Sequence, residues 1–186
     1  MAIKIYIDQG HNPVNPNAGA EGNGLREQNI VYRIGQELAA LLRANESFEV
    51  RLSRPTESTQ LGTSNASSLA ARVNDANSWG ADYFISLHTN ASEQSAASGS
   101  EAFAYARGTP AFALGEDILE NLEAQTGLRN RGMFTRPGLY VLKRTAMPAV
   151  LVELGFITNS FDARLMSTQP ELFARGIYNG IVQFVG

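Results

Sequence analysis

The sequence predicts an α/β fold: a single domain with a mixed, mostly parallel twisted sheet and helices on both faces. Three observations support this prediction. Short apolar or alternating runs recur along the chain, amphipathic helical patterns separate them, and the run at 82–87 is apolar almost throughout, as in strands buried on both faces. Strands that alternate with helices favour parallel pairing. The length of 186 residues suits one core, so we assign residues 1–186 to one domain.

The first half of the chain shows both the alternation typical of strands and the spacing typical of amphipathic helices. Ile3, Ile5 and Ile7 alternate with Lys4 and Tyr6, which is typical of a strand. The Gly-, Asn- and Pro-rich loop that follows is longer than most connections, and such loops are usually functional. The predicted elements are a strand at 2–8, a loop at 9–24, a helix at 27–44, a strand at 48–52, a loop at 54–66 and a helix at 67–78.

The second half is divided by small residues and by helix-start signals. Thr109 and Pro110 are typical of a helix start, as are Asn159 or Ser160 and, later, Pro170. The predicted elements are a strand at 82–87, a turn at 91–98, a possible edge strand at 100–105, a helix at 110–125, a basic loop at 127–138, strands at 139–142 and 148–152, a short helix after 160 and a final helix from 170.

Composition excludes several functional classes. A formal net charge of −3 and a pI of about 5.4 argue against nucleic acid as the partner. The absence of cysteine excludes disulfides and thiolate metal sites. No apolar run approaches the ~20 residues that span a bilayer. The first strand follows Met1 almost at once, so we expect no signal peptide, and we expect a monomer.

The only two histidines lie near the ends of predicted strands. His11 follows the first strand and His88 follows the run at 83–85, while the run at 149–152 ends on Glu153. Ligands of open α/β sheets bind outside the carboxyl ends of the strands. A catalytic zinc site uses three protein ligands, which in a chain without cysteine must be His, Asp or Glu. We therefore expect His11 and His88 to bind one metal ion.

A carboxylate must complete such a site. Glu27 is our choice because it opens the first predicted helix, which packs back on the first strand beside His11. Glu21, in the same loop, is the alternative. Asp8 is a candidate to orient His11 as a hydrogen-bond acceptor. We expect Glu153 to be the general base, because burial after an apolar strand raises the pKa of a carboxyl.

Each of these residues also has an ordinary structural explanation. A histidine at a strand end is more often hydrogen-bonded than metal-bound. Glu27 would be favoured at a helix start by the macrodipole alone. Glu153 would be a surface carboxylate in a plain loop, but the apolar residues 154–157 that follow argue against this explanation.

Five short motifs occur in an order that resembles one known family. They are Asp8-Gln9-Gly10-His11, residues 22–27, residues 72–77 with 81–91, Gly99-Ser100-Glu101, and residues 139–142 with 148–159. Together they resemble the zinc-dependent N-acetylmuramoyl-L-alanine amidases, the peptidoglycan amidases of bacterial autolysins and phage endolysins. The resemblance covers nearly the whole chain. Gln9 stands where the family usually has proline, and Asn12-Pro13 where it has glycines.

The resemblance implies a peptidoglycan hydrolase, with residues 1–186 as its catalytic domain. It implies that His11, Glu27 and His88 bind one Zn²⁺ and that Glu153 is the catalytic carboxylate. The reaction would cleave the amide between N-acetylmuramic acid and the L-alanine of the stem peptide. The protein would act in the cell wall or outside the cell, or be released by a phage at lysis.

Further residues are candidates for substrate contact. They are Asn90, Glu101, Arg131 and Tyr140. Glu101 would line the groove or hold a metal ligand in place, unless it is a solvent-facing carboxylate of an edge strand. Arg129, Arg131 and Arg136 would bind stem-peptide carboxylates or form a solvated basic loop. Tyr140 would flank the groove or pack in the core.

Three other functions stay open at this point. Another zinc amide hydrolase, such as a peptidase or deacetylase, would have the same ligands but no activity on muropeptides. A non-catalytic cell-wall binding module would purify without stoichiometric zinc. A structural domain with incidental histidines would bind no zinc and show no pH-dependent activity.

Overall fold

The computed structural model describes residues 2–186 and contains two sheets. In chain order the strands are β1 (Ile3–Gln9), β2 (Glu21–Gly22), β3 (Leu25–Arg26), β4 (Phe48–Leu52), β5 (Tyr83–Asn90), β6 (Ser100–Ala104), β7 (Asn130–Thr135) and β8 (Ala149–Phe156). The large sheet has the order β4-β1-β5-β8-β6-β7, and β2 and β3 form a small antiparallel pair. All neighbours in the large sheet are parallel except β6 and β8. The predicted mixed, mostly parallel sheet is therefore confirmed.

Six helices accompany these strands in the described part of the chain. They are α1 (Glu27–Arg43), α2 (Asn65–Trp79), α3 (Pro110–Thr126), α4 (Tyr140–Arg144), α5 (Ser160–Thr168) and α6 (Pro170–Val185). The start signals act as expected: Thr109 accepts a hydrogen bond from Phe112 N, and Asn159 accepts from the first turn of α5. Across residues 2–186, none of the helices combines the length and apolar character needed to cross a bilayer.

The alternation of side chains along the strands creates two apolar layers. One face of the sheet, with Ile5, Ile7, Ile85 and Val152, packs against α1, α3 and α6. The opposite face carries Tyr6, Phe84, Phe103 and Leu151 and packs against α2 and α4. We call this second face the site face. Helices on both faces were predicted, and the structure confirms them.

Two predicted strands near the end of the chain have other structures. Residues 139–142 were expected to form a strand but enter α4, because a four-residue apolar run does not distinguish a strand from a short buried helix segment. The strand at 148–152 is real but continues to Phe156, so Glu153 lies inside it. The same holds for His88, which lies inside β5 because that strand continues to Asn90.

The basic loop predicted at 127–138 contains β7, one of the two edge strands of the large sheet. The strand predicted as an edge, β6, instead lies between β7 and β8 and is buried along its whole length. An edge strand pairs on one side only, so it can carry polar side chains. Such a strand lacks the apolar pattern from which strands are predicted. The long loop predicted at 9–24 contains β2, which pairs with β3 just after the end of the predicted loop.

Candidate metal centre and active site

Three side chains meet near the carboxyl end of β1. His11 follows that strand in a left-handed conformation, with φ of 65°, while Glu27 is the first residue of α1 and His88 lies on the neighbouring strand β5. His88 Nδ1 lies 3.2 Å from His11 Nε2 and 3.1 Å from Glu27 Oε1. His11 Nε2 is also 3.1 Å from Glu27 Oε1. The three atoms therefore form a nearly equilateral triangle.

This triangle has the dimensions of a tetrahedral metal site. Zinc binds imidazole nitrogen and carboxylate oxygen at about 2.0–2.1 Å, so neighbouring ligand atoms of a tetrahedron are about 3.3 Å apart. The separations of 3.1–3.2 Å are close to that value. Two imidazoles and one carboxylate are also a donor set used by catalytic zinc, with a fourth position left open. The residues present therefore fit a divalent cation such as zinc.

Glu27 is held as an anion by several donors. Its Oε1 accepts a hydrogen bond from Thr89 N at 2.9 Å, and its Oε2 accepts from Ala20 N at 2.9 Å. Burial alone would raise the pKa of Glu27, but hydrogen bonds with His11 and His88 hold that pKa well below the ordinary value of 4.5. A carboxylate that stays ionised is a suitable metal ligand.

Two glycines allow the ligands to approach the backbone. A Cβ at Gly10 would lie 2.5 Å from His88 Cε1, and one at Gly19 would lie 2.8 Å from Glu27 Oε2. Both distances are shorter than any van der Waals contact. A larger residue at either position would displace a ligand side chain.

The buried Arg72 holds the backbone that carries His11. Its guanidinium donates to Asp8 Oδ1 at 2.6 Å, to the carbonyl oxygen of Gln9 at 2.7 Å and to that of His11 at 2.5 Å. Asp8 also accepts from Ser86 Oγ at 2.7 Å. The expectation that Asp8 accepts directly from His11 is wrong, because within residues 2–186 His11 Nδ1 has no hydrogen-bond partner and His11 Nε2 contacts His88 and Glu27. Arg72 lies in a recognised motif, but its spacing from Asp8 gave no signal of this pairing.

Glu21, the alternative third ligand, lies outside the cluster. It belongs to β2, where its Oε1 pairs with Arg26 Nε at 3.2 Å, and both side chains are more than half exposed. The group within 4.8 Å consists of His11, Glu27 and His88. The structure therefore favours Glu27 over Glu21 as the carboxylate of the site.

Glu153 lies next to this cluster on the site face. It is opposite His88 on one neighbouring strand and opposite Glu101 on the other. Burial raises the pKa of Glu153 to about 7. The charge of His88 opposes this rise, those of Glu27 and Glu101 add to it, and that of Arg136 opposes it. Within residues 2–186, Glu153 Oε2 is buried without a hydrogen-bond partner, while the residue as a whole is half-buried.

Glu101 is the centre of a polar cluster beside Glu153. Its Oε1 accepts from Asn90 Nδ2 at 2.7 Å and its Oε2 accepts from Arg131 Nε at 2.8 Å. Arg131 also donates to the carbonyl oxygen of Ser98 at 3.3 Å. With only 8% of its surface exposed, Glu101 is not a solvent-facing carboxylate, and that alternative is wrong.

Tyr140 lies beside the metal centre. It begins α4, keeps 37% of its surface exposed and lines a mostly apolar pocket of about 140 Å³. His11, His88 and Leu69 line the same pocket. The core-packing alternative for Tyr140 is therefore wrong.

Sequence comparisons identify relatives of the whole chain. The N-acetylmuramoyl-L-alanine amidase family matches residues 5–183. The chain is 36% identical over 185 residues to N-acetylmuramoyl-L-alanine amidase CwlM of Bacillus licheniformis, which covers 97% of this chain and 68% of that protein. It is also 36% identical over 184 residues to N-acetylmuramoyl-L-alanine amidase LytC of Bacillus subtilis (strain 168), covering 97% of this chain but only 35% of LytC.

A solved structure shows the same fold. The catalytic domain of CwlV, an N-acetylmuramoyl-L-alanine amidase from Bacillus (Paenibacillus) polymyxa var. colistinus, superposes with a TM-score of 0.86 at 27% sequence identity. The match covers 98% of each chain. The strand order and helix layers described above are therefore those of an amidase catalytic domain.

Proposed function

The chain belongs to the N-acetylmuramoyl-L-alanine amidase family, and from this membership we propose that it is a zinc-dependent hydrolase of peptidoglycan. Its reaction is the cleavage of the amide between N-acetylmuramic acid and the L-alanine of the stem peptide. One Zn²⁺ per chain is held by His11, Glu27 and His88. The observation that carries this proposal is the triangle of three ligand atoms at 3.1–3.2 Å, together with the half-buried Glu153 opposite His88 on the next strand.

The ion and Glu153 have separate tasks. When bound, zinc would supply a Lewis acid that polarises the scissile carbonyl and acidifies water. The carboxylate of Glu153 accepts the proton of the attacking water and then donates that proton to the leaving nitrogen. A pKa of about 7 suits both steps, because a general acid–base is most effective when its pKa is near the working pH.

The remaining candidates lie beside Glu153 or beside the metal centre. Asn90 and Arg131 each donate a hydrogen bond to Glu101, which lies opposite Glu153 on β6. Tyr140 lines the pocket of about 140 Å³ together with His11 and His88. We assign these residues to contact with the substrate or to the support of neighbours that make this contact.

The partner and location follow from the substrate. Peptidoglycan is the substrate of the family, so the protein acts in the cell wall, either outside a bacterial cell or after release at phage lysis. We propose that the catalytic unit is a monomer, because the three ligands and Glu153 all come from one chain. The chain spans about a third of the length of LytC.

The decisive experiment measures zinc content and stem-peptide release together. Wild-type protein should purify with one zinc per chain and release L-alanyl peptides from muropeptides. His88→Ala should lose both properties, whereas Glu153→Gln should keep zinc and lose at least about a hundredfold in rate. Glu21→Gln is the matched control, because this exposed carboxylate lies in the same loop and outside the cluster.

Two outcomes would contradict the proposal. A wild-type rate in Glu153→Gln would remove that residue from the chemistry. A zinc-loaded protein that hydrolyses other amides or acetamido groups but no muropeptide would show that it is a peptidase or deacetylase on the same scaffold.

A further inference from the structure

Arg136 is a cation on the site face with no acidic partner. Its guanidinium lies over the ring of Phe103, 4.4 Å from the centroid. Within residues 2–186 it makes no ion pair and no side-chain hydrogen bond, and the residue is exposed. Its backbone is fixed on both sides, because Arg136 N donates to the carbonyl oxygen of Ala104 at 2.9 Å and Leu139 N donates to that of Arg136 at 3.1 Å. The guanidinium is therefore positioned but free to bind an anion.

The structure distinguishes Arg136 from the other arginines of this segment. Arg131 is already paired with Glu101 at 2.8 Å and stacks on Phe156 at 5.0 Å. Arg129 is exposed and precedes β7. The three arginines were grouped as candidates for carboxylate binding, and Arg136 is the one whose guanidinium is both anchored and available.

The order of the strands indicates which half of the substrate reaches Arg136. Glu153, on β8, has His88 and the metal centre on one side and β6 followed by β7 on the other. The proposed role of Glu153 requires the leaving nitrogen to lie beside it. The acyl half of the substrate then lies toward the metal centre, and the peptide half crosses β6 toward β7. Strands are about 4.8 Å apart, so β7 is about 10 Å from β8.

The peptide half carries an anion at a suitable distance. The second stem residue is linked through its side-chain carboxyl group, which leaves its α-carboxyl group free. That group is five bonds from the scissile nitrogen, or about 6 Å in an extended chain. Guanidinium binds carboxylate through two parallel hydrogen bonds, and stacking on Phe103 leaves its N–H edges free for them.

We propose that Arg136 is a specificity-determining residue that binds the α-carboxylate of the second stem residue. Phe134, which is 44% exposed and 6.2 Å from the ring of Phe103, forms the apolar side of this subsite. The inference rests on the proposed amidase function and adds a preference within it. Substrates whose second stem residue is amidated lack the anion, so the enzyme discriminates against them.

The test uses two muramoyl tripeptides that differ only in the second residue, whose α-carboxyl group is free in one and amidated in the other. The wild-type protein should have at least about a tenfold higher kcat/KM for the free acid, which is the usual effect of a hydrogen bond to a charged group. Arg136→Gln should lower this preference to about onefold, mainly through KM for the free acid. Arg136→Lys should keep part of the preference, and the control Arg129→Gln should keep all of it.

The outcomes separate this inference from the proposed function. Wild-type protein that cleaves neither tripeptide and no cell wall would contradict the amidase function. Wild-type protein that cleaves both equally, or prefers the amide, would overturn only the role of Arg136. An equal loss on both substrates in a folded, zinc-loaded Arg136→Gln would also overturn it, because Arg136 would then act through its charge on Glu153.

Discussion

Replacing Arg72 by methionine should destabilise the protein far more than removing an ion pair of similar length at the surface. Arg72 is 1% exposed, and its loss leaves Asp8 as a buried anion with Ser86 as its remaining partner. The carbonyl oxygens of Gln9 and His11 lose a donor as well. Breaking a buried ion pair in this way costs about 3–5 kcal/mol.

The matched control is Arg51→Met. Arg51 Nη1 pairs with Asp75 Oδ1 at 2.8 Å, close to the 2.6 Å between Arg72 and Asp8, but the two side chains are 44% and 43% exposed. Exposed pairs contribute about 0.2–1 kcal/mol. The difference between the two variants therefore measures the effect of burial on pairs of nearly equal length.

Thermal unfolding at pH 7 in the presence of a chelator is the assay, so that metal binding does not contribute. A loss of 3–5 kcal/mol should lower Tm by about 6–20 °C in a chain of this length, against about 4 °C or less for Arg51→Met. Equal shifts in the two variants would refute the argument.

The pH dependence of the same measurement gives a second check. Burial alone would raise the pKa of Asp8, but the charge of Arg72 and the hydrogen bonds of Ser86 and Arg72 hold that pKa below its ordinary value of 3.8. Because the pKa of Asp8 is lower in the folded than in the unfolded protein, ionised Asp8 stabilises the fold above about pH 4. This stabilisation is lost as the pH falls toward the pKa of Asp8 in the folded protein. The difference in Tm between wild type and Arg72→Met should therefore narrow below pH 4.

Three further outcomes are expected. Carboxyl NMR of the metal-free protein should give Glu153 a pKa of about 7, with Glu153→Gln used to assign its signal. Zinc should lower this pKa because a nearby cation favours the carboxylate. A pKa near 4.5 in the metal-free protein would contradict the prediction. Glu101→Gln should also lower that pKa, since it removes a negative charge opposite Glu153, and an unchanged titration would show that the two carboxyl groups are uncoupled. Gly10→Ala should weaken zinc binding by about ten- to a hundredfold in a competition titration, because its Cβ would lie 2.5 Å from His88 Cε1. The control is Gly138→Ala, whose Cβ would meet nothing within 4 Å, and this variant should bind zinc as the wild type does.

Local patterns in the sequence were sufficient for most of the fold. The helix starts at Pro110, Ser160 and Pro170 follow from caps and proline positions, which act within one turn and need no distant partner. The alternation in β1 and the apolar run of β5 likewise predict strands, and α/β alternation predicts parallel pairing. The errors at 139–142 and at β7 came from segments whose structure depends on what packs beside them.

The candidate site was also predicted from the sequence only in part. The sequence alone singled out His11, Glu27, His88 and Glu153. The two histidines are the only ones in the chain and lie near predicted strand ends, Glu27 opens a predicted helix, and Glu153 ends an apolar run. The roles of these residues stay predictions. Only the tertiary structure brought three of their ligand atoms within 3.1–3.2 Å of one another.

The partners of the charged side chains were also decided by the tertiary structure. Arg72 pairs with Asp8 across 64 positions of the chain, and Arg131 pairs with Glu101 across 30. Arg136 is left without an acidic partner among residues 2–186. Sequence spacing reports neighbours within a helix or along a strand, whereas these pairings depend on which strands lie side by side in the sheet and on how far each strand continues.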